Sequence, residues 1–218
     1  MAQQITKHTG IYGILPADLD TALLLEKAEA TLLGGVRILQ LRDKSAGFKE
    51  QLKRAKALVS LTQAYDATLI INDSLQLAIE SQANGVHLGR NDIDDISKIR
   101  QKVTDDFIVG VTCRADARFA KAALDFGANY VSFGAVFASH TKPEVPVIGL
   151  ARLHKATQIF PGSNICAIGG IQMSNLAQIK AMGVSYAAVI SSLFDGDKAH
   201  IQAQATNMVN VWNNAPSA

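Results

Sequence analysis

A compact (β/α)8 barrel of the TIM type is the fold class this sequence predicts, and three observations predict it. First, helix-like stretches end in glycine or a small residue and run straight into a short apolar strand. This happens at Leu33-Gly34-Gly35-Val36-Arg37-Ile38-Leu39, Ala83-Asn84-Gly85-Val86-His87-Leu88, Gly127-Ala128-Asn129-Tyr130-Val131-Ser132-Phe133 and Gly183-Val184-Ser185-Tyr186-Ala187-Ala188-Val189-Ile190. Glycine supplies the left-handed conformation that follows a helix, and a strand apolar on both faces marks a buried parallel sheet. Second, four further apolar runs lie between these, and strand starts recur about every 25 residues from Gly10 to Gly183. Eight such units make a barrel. Third, no GxGxxG opens a helix after any strand, which disfavours an open doubly wound sheet.

In chain order, the first strand is expected over Gly10 to Leu15 and the first helix over Asp20 to Leu33. The second strand runs through Ile38 and Leu39 to Gln40, before a helix over Phe48 to Ala64. Thr68 to Asn72 is a β-branched and aliphatic run, followed by a helix from Ser74 to Ser81. The fourth strand, through Val86-His87-Leu88, precedes a helix from Ile93 to Lys102. The fifth spans Phe107 to Thr112, with a helix from Ala115 to Phe126. The sixth, through Tyr130 to Phe133, leads into a long polar loop and then a helix from Leu150 to Ile159. Asn164 to Ile168 precedes a helix over Ser174 to Met182. The eighth strand ends at Val189-Ile190-Ser191-Ser192, and a helix from Lys198 to Trp212 closes the chain. All 218 residues read as one domain.

Composition narrows the function classes. Hydrophobic residues are 48% and charged residues 18%, below the roughly 25% of an average soluble domain. This excludes a disordered or highly charged chain, and a homo-oligomer fits the low charge. The net charge of +2 is too balanced for a nucleic-acid binder, which carries a basic stripe. Lys49, Lys53, Arg54 and Lys56 read as one solvated helix face. Cys113 and Cys166 lack zinc or CxxC spacing and read as reduced thiols. The polar N-terminus has no apolar signal core, and no apolar run approaches the roughly 20 residues of a spanning helix. The chain is expected in the cytoplasm, away from membranes.

In a (β/α)8 barrel the chemistry sits at the C-terminal ends of the strands. After the second strand, alternation puts Gln40, Arg42 and Lys44 on one face, an anion cradle rather than a solvated loop. Asp73 and Asp92 follow adjacent strands. Each alone reads as a helix cap, but opposite the cradle the pair suits Mg2+, which takes one or two carboxylates plus phosphate oxygens. For the Thr112 hydroxyl, phosphate contact and helix capping are equally good readings. The loop from Phe137 to Pro146, polar at Ser139-His140-Thr141-Lys142, reads as a binding loop or lid. Gly169-Gly170 after strand seven, with Ile190 and Ser191 after strand eight, occupies the usual phosphate site of this fold. His87 reads as a packed strand residue, and His140 as the one histidine placed to touch substrate. The barrel thus carries two anion sites, one suited to a Mg2+-bound diphosphate and one a backbone phosphate cup.

These segments together resemble the thiamine-phosphate synthase family. The matching elements are Gln40-Leu41-Arg42-Asp43-Lys44, Ile71-Asn72-Asp73, Gly85-Val86-His87-Leu88-Gly89 with Asp92, Gly110-Val111-Thr112-Cys113, Gly127-Ala128-Asn129-Tyr130-Val131, Thr141-Lys142-Pro143, Ala167-Ile168-Gly169-Gly170-Ile171 and Val189-Ile190-Ser191. The resemblance implies condensation of hydroxymethylpyrimidine diphosphate with thiazole phosphate, or its carboxylate form, to thiamine phosphate. The whole Gln40-Leu41-Arg42-Asp43-Lys44 segment, Leu41 and Asp43 included, would lie at the substrate, with Gln40, Arg42 and Lys44 holding the pyrimidine diphosphate together with Asn72. Asp73 and Asp92 would bind Mg2+. Thr112 and Lys142 would meet the diphosphate. Ser139 and Thr141, flanking His140, would meet the thiazole phosphate, and Gly169, Gly170, Ile190 and Ser191 would complete its cup. Arg42, Lys142 and Thr112 are the groups implied to act on the departing charge. A tautomerase or regulatory relative would lack the metal and diphosphate residues, a non-catalytic binder would release no pyrophosphate, and a sugar-phosphate isomerase would need a general base facing the cup.

Overall fold

A computed structural model describes residues 8–89, 96–139 and 144–216. Eight parallel strands close into a barrel in chain order: β1 (Gly10–Ile14), β2 (Ile38–Leu41), β3 (Thr68–Asn72), β4 (Gly85–Leu88), β5 (Ile108–Arg114), β6 (Tyr130–Phe133), β7 (Asn164–Ile168) and β8 (Tyr186–Val189). Closure is made by β1 on β8, with Gly10 beside Tyr186 and Gly13 beside Val189. The helices between them are α1 (Thr21–Leu33), α2 (Phe48–Ala64), α3 (Leu75–Ser81), α4 (Ile96–Arg100), α5 (Ala117–Asp125), α6 (Gly149–Ile159), α7 (Leu176–Lys180), α8 (Ser191–Phe194) and α9 (Lys198–Asn214). Among the described residues no helix is long and apolar enough to cross a membrane.

Strand alternation divides the core in two. Leu39, Leu41, Leu69, Ile71, Val109 and Val111 face outward and pack under the helices. Tyr12, Ile38, Ile70, Ile108, Tyr130, Cys166 and Tyr186 fill the barrel interior. Helix starts follow side-chain caps that satisfy otherwise unpaired N–H groups. Asp20 accepts from the Leu23 N–H, Ser74 from Leu77, Asp116 from Arg118 and Phe119, and Asp197 from His200. Gly34 lets α1 press against α9, because a Cβ there would stand 2.3 Å from the Ala205 Cβ.

Several expected boundaries move. β5 runs on to Arg114 through a register shift between Thr112 and Arg114, so α5 starts two residues late. A bulge of this kind re-aims the side chains around it. The helix expected over Ser174 to Met182 is a 3-10 turn, Met173–Asn175, followed by α7. β8 stops at Val189, and Ser191 with Ser192 opens the short α8 instead of ending the strand. Only Ile96–Arg100 of the helix expected from Ile93 lies within the described residues. The face assigned to Lys49, Lys53, Arg54 and Lys56 is not uniformly solvated. Arg54 is 13% exposed and donates to Asp43 at 2.8 Å and to Glu50 at 3.4 Å.

Candidate active site

A cavity of about 560 Å3 opens at the C-terminal ends of the strands, within the usual size range of small-molecule sites. From β2 it receives Gln40, Arg42 and Lys44. The alternation that aims these three inward turns Leu41 and Asp43 away. Leu41 is 3% exposed beneath the helices. Asp43 accepts from the backbone N–H groups of Ser45 and Ala46 and from Arg54. Burial pushes the Asp43 carboxyl up, but those two N–H groups and the guanidinium outweigh it and hold it below the usual carboxylate range. Leu41 and Asp43, expected at the substrate, are thus framework residues.

β3 adds Asn72 and Asp73 to the wall. The capping reading of Asp73 fails, because Ser74 caps α3 one residue later. Asp73 instead takes a left-handed backbone (φ 63°), its N–H bonded to the His87 carbonyl at 2.8 Å. Its carboxylate lies 3.3 Å from Lys44 Nζ, both side chains about half exposed. Such an exposed pair contributes little to stability, so both groups stay available to a ligand. Among the described residues no carboxylate pairs with Arg42.

The floor is polar. Gln40 Nε2 donates to Tyr12 Oη at 2.8 Å, and Tyr12 Oη lies 3.0 Å from Tyr130 Oη. Tyr130 Oη lies 2.8 Å from His87 Nδ1, and His87 Nε2 lies 2.8 Å from Thr112 Oγ1. His87 is packed as expected, at 8% exposure, yet it also lines the cavity. Thr112 does not cap α5, a task taken by Asp116, and it faces the cavity. Burial pushes the Tyr12 and Tyr130 phenols and the Cys166 thiol up, so all three stay protonated. On β6, Ser132 lines the cavity at 2% exposure, and its buried Oγ has no hydrogen-bond partner among the described residues. A buried hydroxyl in a cavity wall can serve a ligand as donor or acceptor. Tyr12, Tyr130 and Ser132 were not singled out from the sequence. Their shared period-2 inward face was the available signal.

The remaining wall comes from the β6, β7 and β8 loops. Ser139, Gly169, Gly170, Ile190 and Ser191 all line it. The two glycines have φ of 101° and 63°, a region other residues resist. They also admit the β6 loop, since a Cβ on Gly169 would stand 2.4 Å from the Ala135 Cβ, and one on Gly170 2.4 Å from the Ala138 carbonyl oxygen. Ser192 Oγ donates to the Ile171 carbonyl at 2.8 Å and ties the start of α8 to the glycine loop. Asp92, His140, Thr141 and Lys142 lie outside the described residues.

The chain matches the family profile described as thiamine monophosphate synthase over residues 11–193. It is 41% identical over 196 residues to a thiamine-phosphate synthase of Chromobacterium violaceum, covering 90% of this chain and 93% of that one. It is 42% identical over 214 residues to one from Saccharophagus degradans, covering 97% and 96%. The thiamine phosphate pyrophosphorylase structure from Pyrococcus furiosus superposes with a TM-score of 0.82 at 26% identity, covering 95% and 96%.

Proposed function

The chain belongs to the thiamine monophosphate synthase family and is a transferase that makes thiamine phosphate, and from that premise we propose how its residues divide the work. The substrates are hydroxymethylpyrimidine diphosphate and thiazole phosphate. The bond from the exocyclic methylene carbon to the diphosphate oxygen breaks, its electron pair leaving with diphosphate. The thiazole nitrogen lone pair then forms the new bond to that carbon. No proton has to be removed from the nucleophile, so the site needs no general base.

One observation carries the assignment. A single cavity joins the Arg42 guanidinium on the β2 side, which meets no carboxylate among the described residues, to a glycine loop on the β7 side, with β8 and β1 between them. Arg42 and Lys44 hold the diphosphate, Arg42 through a planar fork that matches phosphate oxygens. Thr112 donates to the same group, and Gln40 with Asn72 takes the ring end. The backbone at Gly169, Gly170, Ile190 and Ser191, with Ser139, takes the thiazole phosphate. The resemblance adds His140, Thr141 and Lys142 to the loop side. Holding both substrates in one cavity converts the encounter into a local step, and fixed cations stabilise the charge that grows on the leaving group.

The donor chemistry fits Mg2+. Asp73 presents a carboxylate that caps no helix, and with Asp92 it matches the demand for one or two carboxylates plus phosphate oxygens. The bound ion would neutralise charge on the diphosphate. Purified protein with Mg2+ and both substrates should yield thiamine phosphate and one pyrophosphate per turnover. Binding of both substrates with no pyrophosphate released would overturn the assignment.

A further inference from the structure

The polar floor forms one unbroken chain of hydrogen bonds, Gln40–Tyr12–Tyr130–His87–Thr112, drawn from β2, β1, β6, β4 and β5. It crosses the barrel interior through direct contacts of 2.8–3.0 Å. The fold makes room for it at Gly110, where a Cβ would stand 2.0 Å from the Tyr130 ring. His87 stacks on Tyr130 with ring centroids 5.5 Å apart, which fixes the imidazole plane. The two ends of the chain, Gln40 and Thr112, both line the cavity.

Each link has a direction. A phenol donates one hydrogen, a neutral imidazole donates from one nitrogen and accepts at the other, and a threonine hydroxyl donates once. The chain therefore has two self-consistent senses. In the first, Gln40 Nε2–H donates to Tyr12, Tyr12 to Tyr130, Tyr130 to His87 Nδ1, and His87 Nε2–H to Thr112. The Thr112 hydrogen is then left for the cavity, and Gln40 keeps Oε1 as an acceptor. In the second, every link reverses. The Gln40 amide turns over, and Thr112 offers the cavity only lone pairs. A mixed sense leaves a phenol accepting at both of its links with its own hydrogen buried and unpaired, or sets two lone pairs face to face, and either is costly. The ends are thus coupled without any change of charge.

We propose that this chain couples recognition of the two ends of the pyrimidine diphosphate: an anion at Thr112 selects the first sense, sets His87 as the Nε2–H tautomer, and holds Gln40 Oε1 as acceptor for the exocyclic amino group of an aminopyrimidine. Tyr12, Tyr130 and His87 are then positioning residues. The inference rests on the assignment above that Thr112 meets diphosphate and Gln40 the ring. An anion demands a donor from Thr112, and the first sense is the one that supplies it. The same sense gives the ring amino group the acceptor it needs, so a diphosphate bearing an aminopyrimidine satisfies both ends at once.

Nitrogen-15 NMR of histidine-labelled full-length protein reads the tautomer without turnover. With Mg2+ and inorganic pyrophosphate bound, His87 should be neutral with the proton on Nε2. A proton on Nδ1, or an imidazolium, overturns the proposal even if the enzyme makes thiamine phosphate. A lack of thiamine phosphate synthesis would overturn the functional reading instead. The second test is a kinetic cycle on kcat/KM with Gln40→Ala and Thr112→Val, in the parent and in Tyr130→Phe. In the parent the double change should lose less than the product of the single losses, by about threefold or more. In Tyr130→Phe the losses should simply multiply. Multiplication in both backgrounds, or equal coupling in both, overturns the proposal.

Discussion

Gly110→Ala is the smallest change that should break the site from inside. The added methyl would stand 2.0 Å from Tyr130 Cζ and 2.3 Å from its Oη, far inside van der Waals contact. Tyr130 is 3% exposed and wedged between Tyr12 (centroids 6.1 Å), His87 (5.5 Å) and Tyr186 (5.8 Å), so the ring has nowhere to retreat. Gly110 and Tyr130 are also paired across β5 and β6, so the backbones cannot part without breaking the ladder. Overpacking of this kind costs about 1–3 kcal/mol. For a chain of this length that lowers Tm by about 2–12 °C. Thermal and urea unfolding measure the cost, and kcat/KM reports the displaced phenol. The control is Tyr130→Ala, which costs about 3–5 kcal/mol by leaving a hole. Adding Gly110→Ala to Tyr130→Ala should cost almost nothing more, because the clash is gone. Wild-type stability in Gly110→Ala, or equal costs in both backgrounds, would refute the packing argument.

Ser132→Ala removes a buried hydroxyl that has no partner among the described residues, so the free protein should lose less than about 1 kcal/mol of stability while substrate KM rises; an unchanged KM for both substrates would show that the hydroxyl meets neither. Asp43 titrates below its unfolded value of about 3.9, so it stabilises the fold above that pH and the benefit disappears as pH falls through its lower folded value. Asp43→Asn should cost about 1–2 kcal/mol at pH 7 and flatten this part of the acid-unfolding curve, with KM little changed; a large KM effect would return Asp43 to the substrate. Asp73→Asn should raise the Mg2+ concentration for half-maximal activity about tenfold or more and leave thiazole phosphate binding intact; full activity in EDTA would exclude the metal role.

The strands were legible because buried parallel strands are apolar on both faces, and Thr68–Asn72 and Asn164–Ile168 end where the composition changes. The Gln40, Arg42 and Lys44 wall was legible from alternation alone. The same alternation argued against Leu41 and Asp43, which entered through the resemblance of a whole segment rather than through geometry. Asp73 read as a cap because the helix was expected to start at Ser74, and the observed start at Leu75 moves the cap to Ser74. The Gly110–Tyr130–His87 cluster was hidden for a different reason. Its members lie on three strands, and their contact depends on the stagger at which the barrel closes, which no local pattern carries. Ser132 escaped because a serine inside an apolar strand looks the same whether its hydroxyl is bonded or orphaned.

If one cavity holds two separate phosphate sites, calorimetric titration of two variants should separate them. Arg42→Ala should weaken binding of Mg2+-pyrophosphate by about tenfold or more and leave thiazole phosphate affinity unchanged. Gly170→Ala, whose methyl would collide with the Ala138 carbonyl at 2.4 Å, should do the reverse. If each variant weakened both ligands equally, or neither, the division into a β2 cradle and a β7–β8 cup would be contradicted.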